Sequence, residues 1–192
     1  MKNILKNILT VARKEWQFQL NNPAAYIVVG SFMLLWEFLF FRNIFLIGEA
    51  SLRTLFDLLP WIFLVVVPAL TMGSLAEEKS EGTLEFLLTR PIRIHELILG
   101  KFFGIFGVFC VTLFFIFPLA WSLGKFGHLD WGEVAAQYLA AVMLSSLFAS
   151  LGIFVSSIFL SQVSAFVTSS IVGFFLLVSG TEMVTSRLPL SV

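Results

Sequence analysis

Residues 76–92 read Ala76-Glu77-Glu78-Lys79-Ser80-Glu81-Gly82-Thr83-Leu84-Glu85-Phe86-Leu87-Leu88-Thr89-Arg90-Pro91-Ile92. A lipid-facing helix could not hold this stretch, because each charged side chain at the centre of a bilayer costs about 3 kcal/mol or more. On both sides the chain is apolar enough to cross a membrane. The segment must therefore meet water or a partner, and its neighbours must meet lipid.

Composition agrees. The chain is 58% hydrophobic and 12% charged over 192 residues, with a mean hydropathy of +0.96, far from soluble-domain averages. At roughly 20 apolar residues per span, there is room for about five or six. Twelve Lys and Arg balance twelve Asp and Glu, so no global charge draws the chain to nucleic acid. Cys110 is the single cysteine; it has no partner for a disulfide or a metal site and reads as a small apolar filler. The start is not expected to act as a secretory signal, because Arg13-Lys14-Glu15 interrupts the apolar run.

Along residues 2–20, Leu5, Leu9, Ala12, Trp16 and Leu20 recur at helical spacing beside Ile4, Ile8 and Val11, with Lys2, Lys6, Arg13, Lys14 and Gln17 mostly opposite. This predicts an interfacial helix over 1–22, lying on the membrane surface with its basic residues toward headgroups. Asn21-Asn22-Pro23 ends it. Spans are predicted at 24–41, 55–75, 97–123, 134–160 and 163–178. One transmembrane domain thus fills 1–192: an interfacial helix, spans one and two within 24–75, a polar segment at 76–96, spans three to five within 97–180, and an outer segment at 181–192.

Orientation follows from the basic residues. With the N-terminus in the cytoplasm, Lys2, Lys6, Arg13, Lys14, Lys79, Arg90, Arg93 and Lys101 lie inside, and Arg42, Arg53, Lys125 and Arg187 outside, as the positive-inside bias requires. Residues 76–96 are then cytoplasmic. Trp16 and Tyr26 fall near the inner boundary, and Trp61, Trp121 and Trp131 near the outer one, where such rings prefer to sit.

Within the polar segment, Gly82-Thr83 suits a helix start and Arg90-Pro91 its end. Leu84, Leu87 and Leu88 make an apolar stripe, while Glu78, Glu81 and Glu85 share the other face at i, i+3 and i+7. A short amphipathic helix would rest its stripe on the membrane domain and offer carboxylates outward. On spacing alone, an ordinary solvated loop fits as well.

The run from Glu77 to Ile92, together with the amphipathic Arg13-Lys14-Glu15 helix and Asn22-Pro23 before span one, resembles the permease subunit of ABC-2 type ABC transporters. It is most similar to the small permeases associated with gliding motility and copper-oxidase maturation. The resemblance implies that Glu77, Glu78, Glu81, Gly82, Thr83, Glu85, Leu87, Leu88, Arg90 and Pro91 belong to a coupling helix that docks on a separate ATPase subunit. It implies a dimer of permease copies in a bacterial inner membrane, forming an ATP-driven path for export. Family permeases usually have six spans and a cytoplasmic C-terminus, so a chain ending after span five in an outer segment is expected to be a fragment or a short variant.

Small residues mark further sites. Gly100-x-x-x-Gly104 opens span three, while Ser145, Ala149, Gly152 and Ser156 repeat along span four, spacing that lets helices approach closely. They are expected to pack helices or to line a dimer seam or path. Ser164, Thr168, Ser169, Ser170 and Gly173 make span five the most polar wall, where a translocation route is expected. Glu37 is expected to pair with Arg42 at the outer boundary. His95 and His128 lack ligand neighbours at metal spacing, so neither a metal nor another cofactor is expected.

Neither Gly100-Lys101 nor Gly124-Lys125 has a glycine five residues earlier, as a P-loop requires. No nucleophile and base pair, HExxH motif or paired membrane Asp is present, so the chain is not expected to be an enzyme. Taken together, these features predict an all-α polytopic transmembrane helix bundle acting as a permease. The alternative is a membrane scaffold that anchors a complex without transport.

Overall fold

The computed structural model describes residues 2–47, 52–84, 93–126 and 130–180. Among them the chain is helical: α1 (Lys2–Asn21), α2 (Pro23–Ile47), α3 (Arg53–Thr71), α4 (Gly73–Ser80), α5 (Ile94–Phe126), α6 (Trp131–Ile158) and α7 (Gln162–Ser179). Five helical stretches are long and apolar enough to cross a membrane: Ala25–Arg42, Leu55–Ser80, Ile94–Ser122, Trp131–Ile158 and Gln162–Ser179. The protein is a multi-pass membrane bundle, and the second crossing is made by α3 and α4 together.

Local chemistry sets the element ends. Pro23 opens α2, where its missing N–H costs nothing. Asp130 caps α6, its side chain accepting from the N–H groups of Gly132 at 2.8 Å and Glu133 at 3.4 Å. Between α3 and α4 only Met72 departs from helix, and its N–H still reaches Pro68 O at 2.8 Å. Past Ser80 the chain turns through Gly82, whose φ of 70° favours a residue without a side chain.

Successive spans reverse direction. At one end meet α1, the start of α2, the α3–α4 joint, the start of α5, the end of α6 and the start of α7, tied by Gln19 Nε2 to Leu70 O at 3.0 Å and Asn7 Nδ2 to Glu96 Oε2 at 2.9 Å. At the other end the rings of Trp121 and Trp131 meet edge to face at 6.4 Å, with Lys125 Nζ over the Trp121 ring. Between the ends Trp36, Phe40, Leu55, Leu59, Phe63, Val67, Ile105 and Ile116 form the buried core. The indole of Trp36 donates to Leu55 O at 2.7 Å, giving its one polar atom a partner. Outward stand Leu34, Phe38, Phe114, Val163 and Phe175, apolar on the outside as lipid requires.

Three findings differ from expectation. The buried side of α1 is turned toward Glu15 and Gln19, leaving Leu5, Leu9 and Leu20 exposed, because Lys101 and the Leu70 carbonyl give those two polar side chains partners inside. The expected pair of Glu37 and Arg42 does not form; five residues turn a helix through about 140°, which places the two on different faces. Lastly, helix continues past residue 75 to Ser80.

Candidate functional site

Among the described residues of 76–92, the exposed part is the turn after α4. Ser80, Glu81, Gly82 and Thr83 are all exposed, and Leu84 packs back on the core. The tip is internally bonded: Ser80 Oγ donates to Glu77 O at 2.9 Å, Thr83 Oγ1 to Glu78 O at 3.2 Å, and the Gly82 N–H to Lys79 O at 3.2 Å. Glu85, Leu87, Leu88, Arg90 and Pro91 lie outside the described residues, as does His128.

Behind the tip, α4 is pinned on two sides. Lys101 of α5 is 3% exposed, and its Nζ lies 2.8 Å from Glu78 Oε1, 3.3 Å from Glu15 Oε2 and 2.6 Å from Ser74 O. Glu78 therefore points inward and does not stand on an outward carboxylate face with Glu81, correcting that expectation: the buried Lys101 ammonium needs counter-charges, because an unpaired charge inside the bundle is strongly destabilising. Burial pushes the Glu15 carboxyl above its ordinary value; the nearby Lys101 ammonium opposes this, and Glu78 adds to it. On the other side, Lys79 Nζ donates to Ser157 O in the last turn of α6, where unpaired carbonyls and the helix dipole favour a cation.

The α3–α4 joint rests on α6. Ser156 Oγ accepts from the N–H groups of Leu75 and Ala76, each at 3.0 Å, and donates to Met72 O at 2.9 Å. Four residues earlier, a Cβ on Gly152 would stand 2.8 Å from Thr71 Cβ, so only glycine lets the two helices touch there. Ser145 and Ala149, both fully buried, continue this face at helical spacing.

Gly100 and Gly104 face α1. A Cβ on Gly100 would lie 2.6 Å from Val11 Cγ1, and one on Gly104 would lie 2.6 Å from Glu15 Cβ and 3.0 Å from Ala12 O. Gly107 extends the groove to the Trp16 ring, at 2.7 Å. Contacts advance together along both helices, so α1 runs parallel to the first part of α5. At 33 residues, α5 is about 50 Å long, longer than the ~30 Å hydrocarbon core, which leaves room for this pairing at the membrane edge.

In α7, Ala165, Ser169 and Gly173 are the buried stripe, with Gly173 against the Phe148 ring of α6. Ser169 faces the protein, Thr168 is half-buried and Ser164 exposed, so the polar residues of span five do not share one wall. Missed by sequence reasoning were Lys101, Glu15, Asn7, Gln19 and Thr71 as structural partners. One signal was present: Asn7, Glu15 and Gln19 lie on one row of four-residue steps, marking a polar edge on the inner side of α1.

Among its described residues, this end of the molecule shows no hydroxyl or thiol hydrogen-bonded to a carboxylate, lysine or histidine side chain. It presents an exposed turn on a short helix whose base is bonded to α5 through Glu78 and to α6 through Lys79. Residues 7–186 match the family profile described as ABC-2 family transporter protein. None of the curated proteins matches the chain.

Proposed function

The chain belongs to the ABC-2 transporter family, as a membrane permease of an ABC transporter, and on that premise we propose that its Ser80–Thr83 turn is where a separate ATPase subunit docks. The observation behind this reading is the contrast within one short helix. Glu81, Gly82 and Thr83 stand exposed, while Glu78 and Lys79 are bound to α5 and α6. A push on the turn would be passed to three helices at once, as a rigid coupling element requires.

The docking surface extends along the sequence through Glu85, Leu87, Leu88, Arg90 and Pro91. Nucleotide-driven closure of a paired ATPase displaces two such turns, one on each permease copy, and opens an export path between the copies. Thr168 and Ser164 are the side chains on α7 placed to meet that path. The α1–α4 end faces the cytoplasm of a bacterial inner membrane. Supporting this orientation, Lys6, Arg13, Lys14, Lys79, Arg93 and Lys101 gather there, against Arg42, Arg53 and Lys125 at the other end.

The test is co-purification of a co-expressed ATPase subunit with wild-type, Gly82→Pro and Glu81→Lys permease, with membrane insertion checked for each. Proline cannot adopt a φ of 70° and removes the N–H that Lys79 O accepts, so Gly82→Pro should lose the subunit and its permease-dependent ATP hydrolysis. Glu81→Lys should weaken association in a salt-dependent way. Full retention by both variants would leave the scaffold reading ahead.

A further inference from the structure

One face of α2 is left open by the rest of the bundle. Ile27, Ser31, Leu34, Phe38 and Phe41 are all exposed, Leu34 at 71% and Phe38 at 67%, and they recur at alternating steps of four and three residues. That is the rhythm of a seam between two helices. On the opposite side of the same helix Ala25, Phe32, Trp36 and Phe40 are buried in the core. Apolar exposure alone would suit lipid, but the borders of the stripe do not.

Glu37 borders it on one side and Arg42 on the other, and among the described residues neither side chain has a hydrogen bond or an ion pair. Glu37 lies inside the apolar stretch Ala25–Arg42, where an unpaired carboxylate facing lipid is costly and calls for a partner. The turn of about 140° that keeps the two apart on one helix brings them together across two. In a parallel pair meeting along such a seam, the residue just before a seam position on one helix faces the residue five places later on the other. With Phe38 and Phe41 in the seam, Glu37 and Arg42 hold those two places. A twofold axis along the membrane normal repeats the contact, so one relationship gives two ion pairs. Gly30 points the same way: among the described residues a Cβ there would meet nothing within 4 Å, while Gly30 and Ser31 together let a second helix approach closely.

We propose that α2 is a self-association surface: its stripe over 27–41 packs in parallel on the same stripe of a second copy of this chain, and Glu37 of each copy pairs with Arg42 of the other. Resting on the two-copy arrangement proposed above, the seam fixes which face joins the copies. The apolar stripe supplies the contact, and the charges set its register and its parallel sense.

The experiment is disulfide cross-linking of the full chain in cell membranes, with copper phenanthroline as oxidant and Cys110→Ser as background. Leu34→Cys and Phe38→Cys should each yield a covalent dimer, and Phe114→Cys, 72% exposed on α5, should not. Glu37→Arg or Arg42→Glu, added to the Leu34→Cys chain, sets like charges against each other and should cut that yield about tenfold. Co-expressing the two reversed chains with different tags should restore it in the mixed pair, because each then carries the charge that the other lacks. Cross-linking at Leu34 and Phe38 no greater than at Phe114 overturns the seam, and so does a yield that survives both reversals. Light scattering of the purified wild-type chain tells the two failures apart: a dimer without seam cross-links removes α2 as the joint and leaves the two-copy reading standing, whereas a monomer removes both. Should the reversed chains fail to insert, the cysteine comparison alone decides.

Discussion

Lys101 of α5 and Glu78 of α4 meet at 2.8 Å with 4% and 21% of their side chains exposed, and the same ammonium holds Glu15 of α1 at 3.3 Å. One cation thus compensates two carboxylates from two other helices. Removing a single member of such a cluster leaves buried charge without a partner, which is far more harmful than removing the whole cluster.

Lys101→Met should therefore destabilise the permease by about 3–5 kcal/mol. The triple change Lys101→Met, Glu15→Gln, Glu78→Gln should recover most of that loss. Thermal unfolding in detergent separates the cases, and equal stability of the single and triple variants would show that the cluster is not electrostatically closed.

Glu15 adds a pH dependence. Its folded pKa is raised from 4.5, chiefly by burial, so between 4.5 and the raised value the folded state binds more protons than the unfolded one. The linked contribution falls as pH rises through that window and is recovered as pH drops toward 4.5. Wild type should thus gain stability relative to Glu15→Gln on acidification, measured as the difference of their Tm values between pH 7 and pH 4.5. A difference that does not move with pH would remove Glu15 as the titrating group.

Gly104→Leu should harm the protein more than Phe103→Leu, because the first drives a side chain into Glu15 and Ala12 of α1 while the second shortens an exposed ring. Protease cleavage within α1 is a direct readout: it should accelerate in the glycine variant only. Comparable cleavage in both would mean that α1 is not held by the groove of α5.

Ser156→Ala should cost about 1–3 kcal/mol, since it strips the acceptor from two backbone N–H groups and the donor from Met72 O. Gly152→Ala should add a separate loss by forcing Thr71 away. Detergent unfolding of each variant checks both, and hydrogen exchange at Leu75 and Ala76 should quicken in the serine variant.

The spans were legible because long apolar runs admit few other readings, and the charged segment was legible as something lipid would reject. Periodicity tells which face of a helix is special, but not which helix it will face. Gly100 and Gly104 read as a close-packing stripe, and nothing local said that α1 would fill it. Lys101 was counted only as a topological charge, since its partners lie 23 and 86 positions away. The tip at Glu81–Thr83 could be found from local turn chemistry, while the inward turn of Glu78 depended on a distant helix.

Parallel pairing of α1 with α5 also bears on how the chain is made. Asn7 and Glu96, hydrogen-bonded in the finished fold, are separated by 89 positions. At about 5–20 residues per second, ribosomal synthesis needs roughly 4–18 s to deliver the second after the first. For that interval α1 is without its groove, and its carboxylate at Glu15, buried in the finished fold, lacks the Lys101 ammonium. Leu5, Leu9 and Leu20 remain exposed even in the native structure, an apolar surface of the kind that suits a bilayer interface. α1, synthesised well before α5, is thus fastened only once α5 is made.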